Sequence, residues 1–119
     1  MGRSNLLGAW GEALAAEYLR RKRYELVACG WRCKFGEIDL IAWEGNTLCF
    51  IEVKTRTNLE MGLPREYVTP AKQKKLRKTA LFYLSEKKLD CFCRFDVAEV
   101  YAEQGFDKAR IVYLRDAFQ

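Results

Sequence analysis

An α/β domain, with a mixed central sheet of about five strands flanked by helices in the order α-β-β-β-α-β-β, is the fold class this 119-residue sequence predicts. Three observations predict it: two stretches with apolar residues at helical spacing, five short β-friendly runs, and a central pair of those runs joined by Gly45-Asn46. The composition agrees. Half the residues are hydrophobic and 31% are charged, with only 2 Pro and 8 Gly, which suits one globular domain over 1–119 and excludes a disordered or collagen-like chain. No internal repeat, low-complexity tract or interdomain linker interrupts it.

The first helix is expected from Gly8 to Lys22, where strong helix formers carry Trp10, Leu14 and Tyr18 on one side and basic residues Arg20 to Arg23 sit at the carboxyl end of the dipole. Tyr24 to Lys34 reads as a first strand interrupted near Gly30. Glu37 to Trp43 and Thr47 to Lys54 flank Gly45-Asn46, a dipeptide suited to a two-residue hairpin loop. Thr55 to Thr69 has no clean period and is expected to be a loop. Thr69 is a natural N-cap and Pro70 a natural first residue for the second helix, whose Leu76, Ala80, Tyr83 and Leu84 form a buried stripe. Cys93 to Tyr101 and Arg110 to Leu114, joined across Gln104-Gly105, complete the sheet. The strand order beyond the hairpin does not follow from the sequence.

No run approaches the roughly 18 consecutive apolar residues of a membrane-spanning helix, and the early apolar stretch from Leu6 to Ala16 is broken by Glu12. A cytoplasmic protein without a membrane partner is therefore expected. The five cysteines, Cys29, Cys33, Cys49, Cys91 and Cys93, include no C-x-x-C pair and the chain has no His, so a structural zinc site is not expected. They read as buried, reduced thiols.

The charge is unevenly distributed. The chain has 21 Lys plus Arg against 16 Asp plus Glu, yet residues 54–94 alone hold 11 basic and 4 acidic side chains. Lys72, Lys74, Lys75, Arg77 and Lys78 crowd the first turns of the second helix, where the dipole favours anions. An external polyanion such as nucleic acid would relieve that conflict, and a solvated, Lys-rich helix face accounts for the charge equally well. Arg56, Arg65, Lys72, Lys74, Lys75 and Lys78 are the candidate backbone contacts.

Carboxylates concentrate around the hairpin. If Gly45 and Asn46 form its loop, Ile41 faces Phe50, Asp39 faces Glu52 and Glu37 faces Lys54, all on one side of the sheet. Directly opposed residues have Cβ atoms about 4.5–5.5 Å apart, so Asp39 and Glu52 repel unless a positive charge lies between them. Mg²⁺ binds oxygen ligands at about 2.0–2.1 Å and needs neither His nor Cys, and Lys54 would stand beside it. The same spacing equally describes an ordinary hairpin with one solvated polar face and a Glu37–Lys54 cross-strand pair.

These residues resemble a known family. An acidic residue, a spacer and E-V-K, preceded by a helix bearing Gly11-Glu12, resemble the PD-(D/E)xK nuclease superfamily, which has a restriction-endonuclease-like core. More closely, Gly8, Gly11-Glu12, the GEIDLIA segment, FIEVKTR from Phe50, VTPAKQKKL from Val68 and CRFDV from Cys93 resemble the YraN-like family of small endonuclease-like proteins, similar to archaeal Holliday junction resolvases. The resemblance implies Asp39 and Glu52 as metal ligands, Lys54 as the catalytic lysine and Glu12 as a further metal or water ligand. Glu37 falls to a supporting role around Lys54 or a ligand water. The chain departs from the pattern in having Ile38, not Pro, before Asp39.

The expectation is thus a Mg²⁺- or Mn²⁺-dependent endonuclease hydrolysing phosphodiesters of DNA, including branched or otherwise structured DNA, with a homodimer implied by the likeness to resolvases. The competing expectation is a noncatalytic nucleic-acid-binding or DNA-processing accessory module on the same scaffold. Basic charge serves both equally; the carboxylates and Lys54 are required only by the enzyme.

Overall fold

The computed structural model describes residues 4–56, 68–102 and 104–119. Helix α1 runs Ser4–Arg21, followed by strands β1 (Glu25–Cys33), β2 (Gly36–Glu44) and β3 (Thr47–Arg56), helix α2 (Pro70–Lys87), strand β4 (Phe92–Tyr101), a short 3₁₀ turn and strand β5 (Arg110–Phe118). The five strands form one sheet in the order β1-β2-β3-β4-β5. Only β3 and β4 run parallel, because α2 carries the chain back across the sheet between them; all other neighbours are antiparallel. This is the mixed sheet and element order expected of a restriction-endonuclease-like core.

Strand alternation sorts the core into two layers. Leu40, Ala42, Cys49, Ile51, Ala98 and Val100 face α1, packing against Ala15, Ala16 and Leu19. Ile41, Leu48, Phe50 and Val97 face α2, packing against Leu76, Ala80 and Tyr83. The alanines on α1 let that helix lie close to the sheet, with Trp10, Leu14 and Tyr18 only partly buried around them. The hairpin has the expected register, from Glu44↔Thr47 through Leu40↔Ile51.

The phase of β2 slips at one point. Ile38 packs with Ile41 on the α2 side although strict alternation would send it to the opposite face. The slip coincides with Gly30, at φ +67, on the neighbouring strand, whose pairing flanks it as Cys29↔Leu40 and Trp31↔Ile38. Glycine tolerates that backbone without a Cβ penalty. Asp39 therefore stands at the seam between the two faces of the sheet.

Several boundaries differ from the sequence expectation. Helix α1 begins at Ser4, and β3 continues through Thr55 and Arg56, paired with Val100 and Tyr101, where a loop was expected. Strand β5 continues past Leu114 to Phe118, since the Asp96 carboxylate accepts a hydrogen bond from Asp116 N (2.8 Å) across a bulge in the β4–β5 ladder. Residues 57–67, most of the expected loop and with them Arg65, lie outside the described residues. All five cysteines are free, but only Cys49 is buried; Cys29 is exposed on edge strand β1 and Cys93 near the start of β4. Among the described residues no helix is long and apolar enough to cross a membrane.

Candidate active site

The acidic residues meet at the end of the β2–β3 hairpin remote from its turn. Glu12 arrives from α1. The preceding residue, Gly11, lies against Thr55 of β3 so closely that a Cβ there would collide with the threonine hydroxyl. Glycine at this position sets how near α1 comes to the sheet, and so how far Glu12 reaches.

Glu37 and Asp39 come from β2. Carboxylate oxygens of Glu12, Glu37 and Asp39 lie within 4.8 Å of one another, close enough to share one cation. Glu37 also pairs with Arg32 across the β1–β2 ladder (3.4 Å). Asp39 accepts a hydrogen bond from Val53 N at 2.8 Å, just beyond the last recorded β2–β3 pair, Leu40↔Ile51. The ordered ladder thus gives way to a side-chain contact where the expected Asp39–Glu52 and Glu37–Lys54 pairs would have followed.

Glu52, from β3, lines a cleft of about 210 Å³ together with Glu37, Asp39, Lys72, Lys75, Leu76 and Thr79. Its carboxylate is held by Lys72 of α2, with Nζ 2.6 Å from Oε2. Helix α2 is fixed there by its cap: Thr69 Oγ1 accepts from Lys72 N (3.2 Å), and Gln73 Nε2 donates to the Val68 carbonyl (2.8 Å).

The electrostatics of this corner are unfavourable to bare carboxylates. Burial, the negative charge of Glu52 and then those of Glu12 and Glu37 push the Asp39 carboxyl up to about 8, against the opposing hydrogen bond from Val53. Glu12 is raised as well, chiefly by burial, with Glu37 and Glu52 adding repulsion and a hydrogen bond to Asp39 opposing it. Carboxylates so placed bind a proton or a cation in preference to remaining charged and alone. The donors are all hard oxygens, which fits Mg²⁺ or Mn²⁺ and not a thiolate metal.

The remaining sequence-predicted residues are spread around this corner. Lys54 is half-buried on β3, opposite Glu99 in the parallel ladder, and among the described residues makes no ion pair. Arg56 ends the strand beside Tyr101. Lys74 and Lys75 are exposed on α2, Lys75 at the cleft, and the Lys78 ammonium lies 4.8 Å over the Phe35 ring. Glu12, Glu37, Asp39, Glu52, Lys72 and Lys75 are thus brought together, whereas Lys54, Arg56, Lys74 and Lys78 are not among the residues that line the cleft or join the carboxylate group. Two memberships escaped the sequence: Glu37 joins the three-carboxylate group itself, and Lys72 reaches Glu52. Strand alternation put Glu37 on the same side as Asp39 but could not bring Glu12 to them, and it gave no sign of the Lys72–Glu52 pair, because both depend on how the helices lie against the hairpin.

The model of the uncharacterised protein family UPF0102 matches residues 11–100. The chain belongs to the UPF0102 family. It is similar to the UPF0102 protein of Caldicellulosiruptor saccharolyticus, 42% identical over 113 residues that cover 94% of this chain and 96% of the relative. That of Chlorobium limicola is 50% identical over 106 residues, covering 88% and 81%. That of Geobacter sulfurreducens is 43% identical over 117 residues, covering 98% and 91%. The UPF0102 match begins at Gly11, the helix-packing glycine, and includes all four acidic residues of the site and Lys54.

Proposed function

We propose that this UPF0102 protein is a Mg²⁺- or Mn²⁺-dependent endonuclease of the PD-(D/E)xK type that hydrolyses phosphodiester bonds of DNA, with branched or otherwise structured DNA as its substrate class. One observation carries the reading: carboxylates from α1 and β2 converge within 4.8 Å, and Glu52 of β3 lines the same cleft as the β2 pair Glu37 and Asp39. Such a concentration of acid in a partly buried corner is poorly stable by itself and is suited to holding a divalent cation.

In this reading Glu12, Asp39 and Glu52 hold the cation and Glu37 supports them from the same group. The cation, when bound, supplies the charge that offsets the phosphate and acidifies an attacking water. The Val53 amide orients Asp39 and keeps one of its oxygens directed at β3. Lys54, two residues after Glu52 on the same strand, is the catalytic lysine that stabilises charge on the scissile phosphate. The exposed lysines of α2 and Arg56 hold the flanking backbone, where contacts are salt-sensitive and tolerant of sequence.

The test is metal-dependent cleavage of a labelled panel comprising a four-way junction, a flap and a plain duplex, run with a parallel measurement of Mn²⁺ binding. Asp39→Asn is expected to abolish both metal binding and cleavage. Lys54→Ala is expected to keep metal and DNA binding while lowering the cleavage rate by about 10²–10³. Cleavage undiminished in either variant overturns the assignment. Tight DNA binding with no cleavage under any metal condition would make the protein a noncatalytic binding module.

A further inference from the structure

Lys72 occupies a position that backbone binding does not explain. It lies in the first turn of α2, and its ammonium reaches back into the cleft to within 2.6 Å of Glu52. The Glu52 side chain is only 10% exposed, whereas that of Lys72 is 48% exposed and open to the outside of the cleft. A nearly buried carboxylate therefore has its countercharge supplied by a side chain that solvent, or a phosphate, can approach from the other side.

A divalent cation binds carboxylate oxygens at about 2.0–2.1 Å and cannot approach Glu52 Oε2 from the side where an ammonium already stands at hydrogen-bonding distance. Glu52 thus has two competing positive partners. Lys72 has two competing negative ones, since exposed Lys75, three residues on and at the same cleft, marks the surface where a phosphate backbone would lie. Lys75 lines the same cleft but makes no ion pair with Glu52 among the described residues. Burial works against the Lys72 ammonium, yet the hydrogen bond and charge of Glu52, with Asp39 behind it, outweigh burial and keep it protonated.

We propose, resting on the metal-dependent reading of this cleft, that Lys72 is an exchangeable countercharge: it neutralises Glu52 in the metal-free protein and moves to a nucleic-acid phosphate when a divalent cation takes Glu52. Cation and nucleic acid then bind with positive coupling, since each releases the group that the other needs. The coupling is reciprocal by linkage. Lys72 is in this role a positioning residue that ties loading of the site to the presence of substrate.

The experiment measures Mn²⁺ affinity from the electron paramagnetic resonance signal of the free ion, without DNA and without turnover. Lys72→Gln is expected to bind Mn²⁺ about threefold to fivefold more tightly than wild type, the range of a partly exposed ion pair. Lys74→Gln removes the same charge from the same turn without touching Glu52, and is expected to change the affinity clearly less. In the second arm, Ca²⁺ at constant ionic strength is expected to tighten binding of a labelled duplex by about fivefold or more in wild type, and Lys72→Gln is expected to lose most of that response. Unchanged or weaker Mn²⁺ binding in Lys72→Gln, or an equal gain in Lys74→Gln, overturns the exchange while leaving the metal site standing. No Mn²⁺ binding by wild type or by Lys72→Gln overturns the site and the exchange together.

Discussion

Asp39 Oδ2 accepts a hydrogen bond from Val53 N at 2.8 Å, one step beyond the last recorded rung between β2 and β3. A side chain thereby takes over from the backbone as the link between the two strands. The same carboxylate is repelled by Glu52, Glu12 and Glu37. Asp39 is both a structural tie and the most strained charge of the site.

That double role separates two substitutions. Asp39→Asn keeps an acceptor for Val53 N and removes the charge, so the metal-free protein at pH 8 is expected to melt at a higher temperature than wild type. Asp39→Leu leaves the Val53 amide without its partner and is expected to be less stable than Asp39→Asn by about 1–3 kcal/mol. Both are expected to lose Mn²⁺ binding. Thermal melts of the two variants with and without Mn²⁺ check the pair of claims.

The pH dependence has a definite sign. Asp39 rises from 3.8 to about 8 on folding, so its contribution to stability is fully present below the unfolded value and is lost as pH rises through the folded one. Glu12 shifts in the same direction and adds to the loss. Metal-free wild type is expected to become less stable from about pH 4 to pH 8, and Asp39→Asn to flatten that decline. Saturating Mg²⁺ is expected to raise stability most at the upper end of the window. Denaturant midpoints measured across the range decide it.

Gly11 and Thr55 make a steric prediction. Gly11→Ala places a methyl group on the Thr55 hydroxyl and is expected to cost about 1–3 kcal/mol while displacing Glu12 from the other carboxylates. Thr55→Ala in the same molecule removes the colliding oxygen and is expected to restore part of both stability and Mn²⁺ affinity. Additive losses in the double variant would show that the two residues do not oppose each other.

A second acidic centre is expected to matter for folding and not for chemistry. Asp96 is fully buried and accepts from Arg94 Nε (2.9 Å), Tyr113 Oη (2.6 Å) and Asp116 N (2.8 Å), while Arg94 also reaches Tyr24 and Glu44. Asp96→Ala leaves Arg94 and the Tyr113 hydroxyl short of partners and is expected to destabilise the protein by about 3–5 kcal/mol. Chemical denaturation measures the loss; Mn²⁺ affinity of the protein that remains folded is expected to match wild type.

The α2 lysines can be tested through salt. Replacing Lys74 and Lys75 together by Gln is expected to reduce the slope of log affinity against log salt by about 1–2 on duplex DNA. A slope that does not change would place the DNA on another face.

Much of this protein was legible from local pattern. Gly45-Asn46 and the alternation around it specify the register of the central hairpin, Thr69-Pro70 specifies the start of α2, and the element order specifies a mixed sheet, because each depends on neighbours in the chain. The acidic residues of the site were identifiable from the same stretch, since Glu37, Asp39 and Glu52 all lie on that hairpin, although the paired rungs that alternation assigns to them are replaced by the Asp39–Val53 contact. Which of them share oxygens was decided only by tertiary packing. Glu12 enters because α1 closes on Thr55, Asp39 sits at the seam because β2 changes phase beside Gly30, and Lys72 meets Glu52 because the first turn of α2 lies at the cleft. Contacts between separate elements leave no local pattern in the sequence; they follow from how closely helices and sheet can pack, and that is settled only when the whole chain folds.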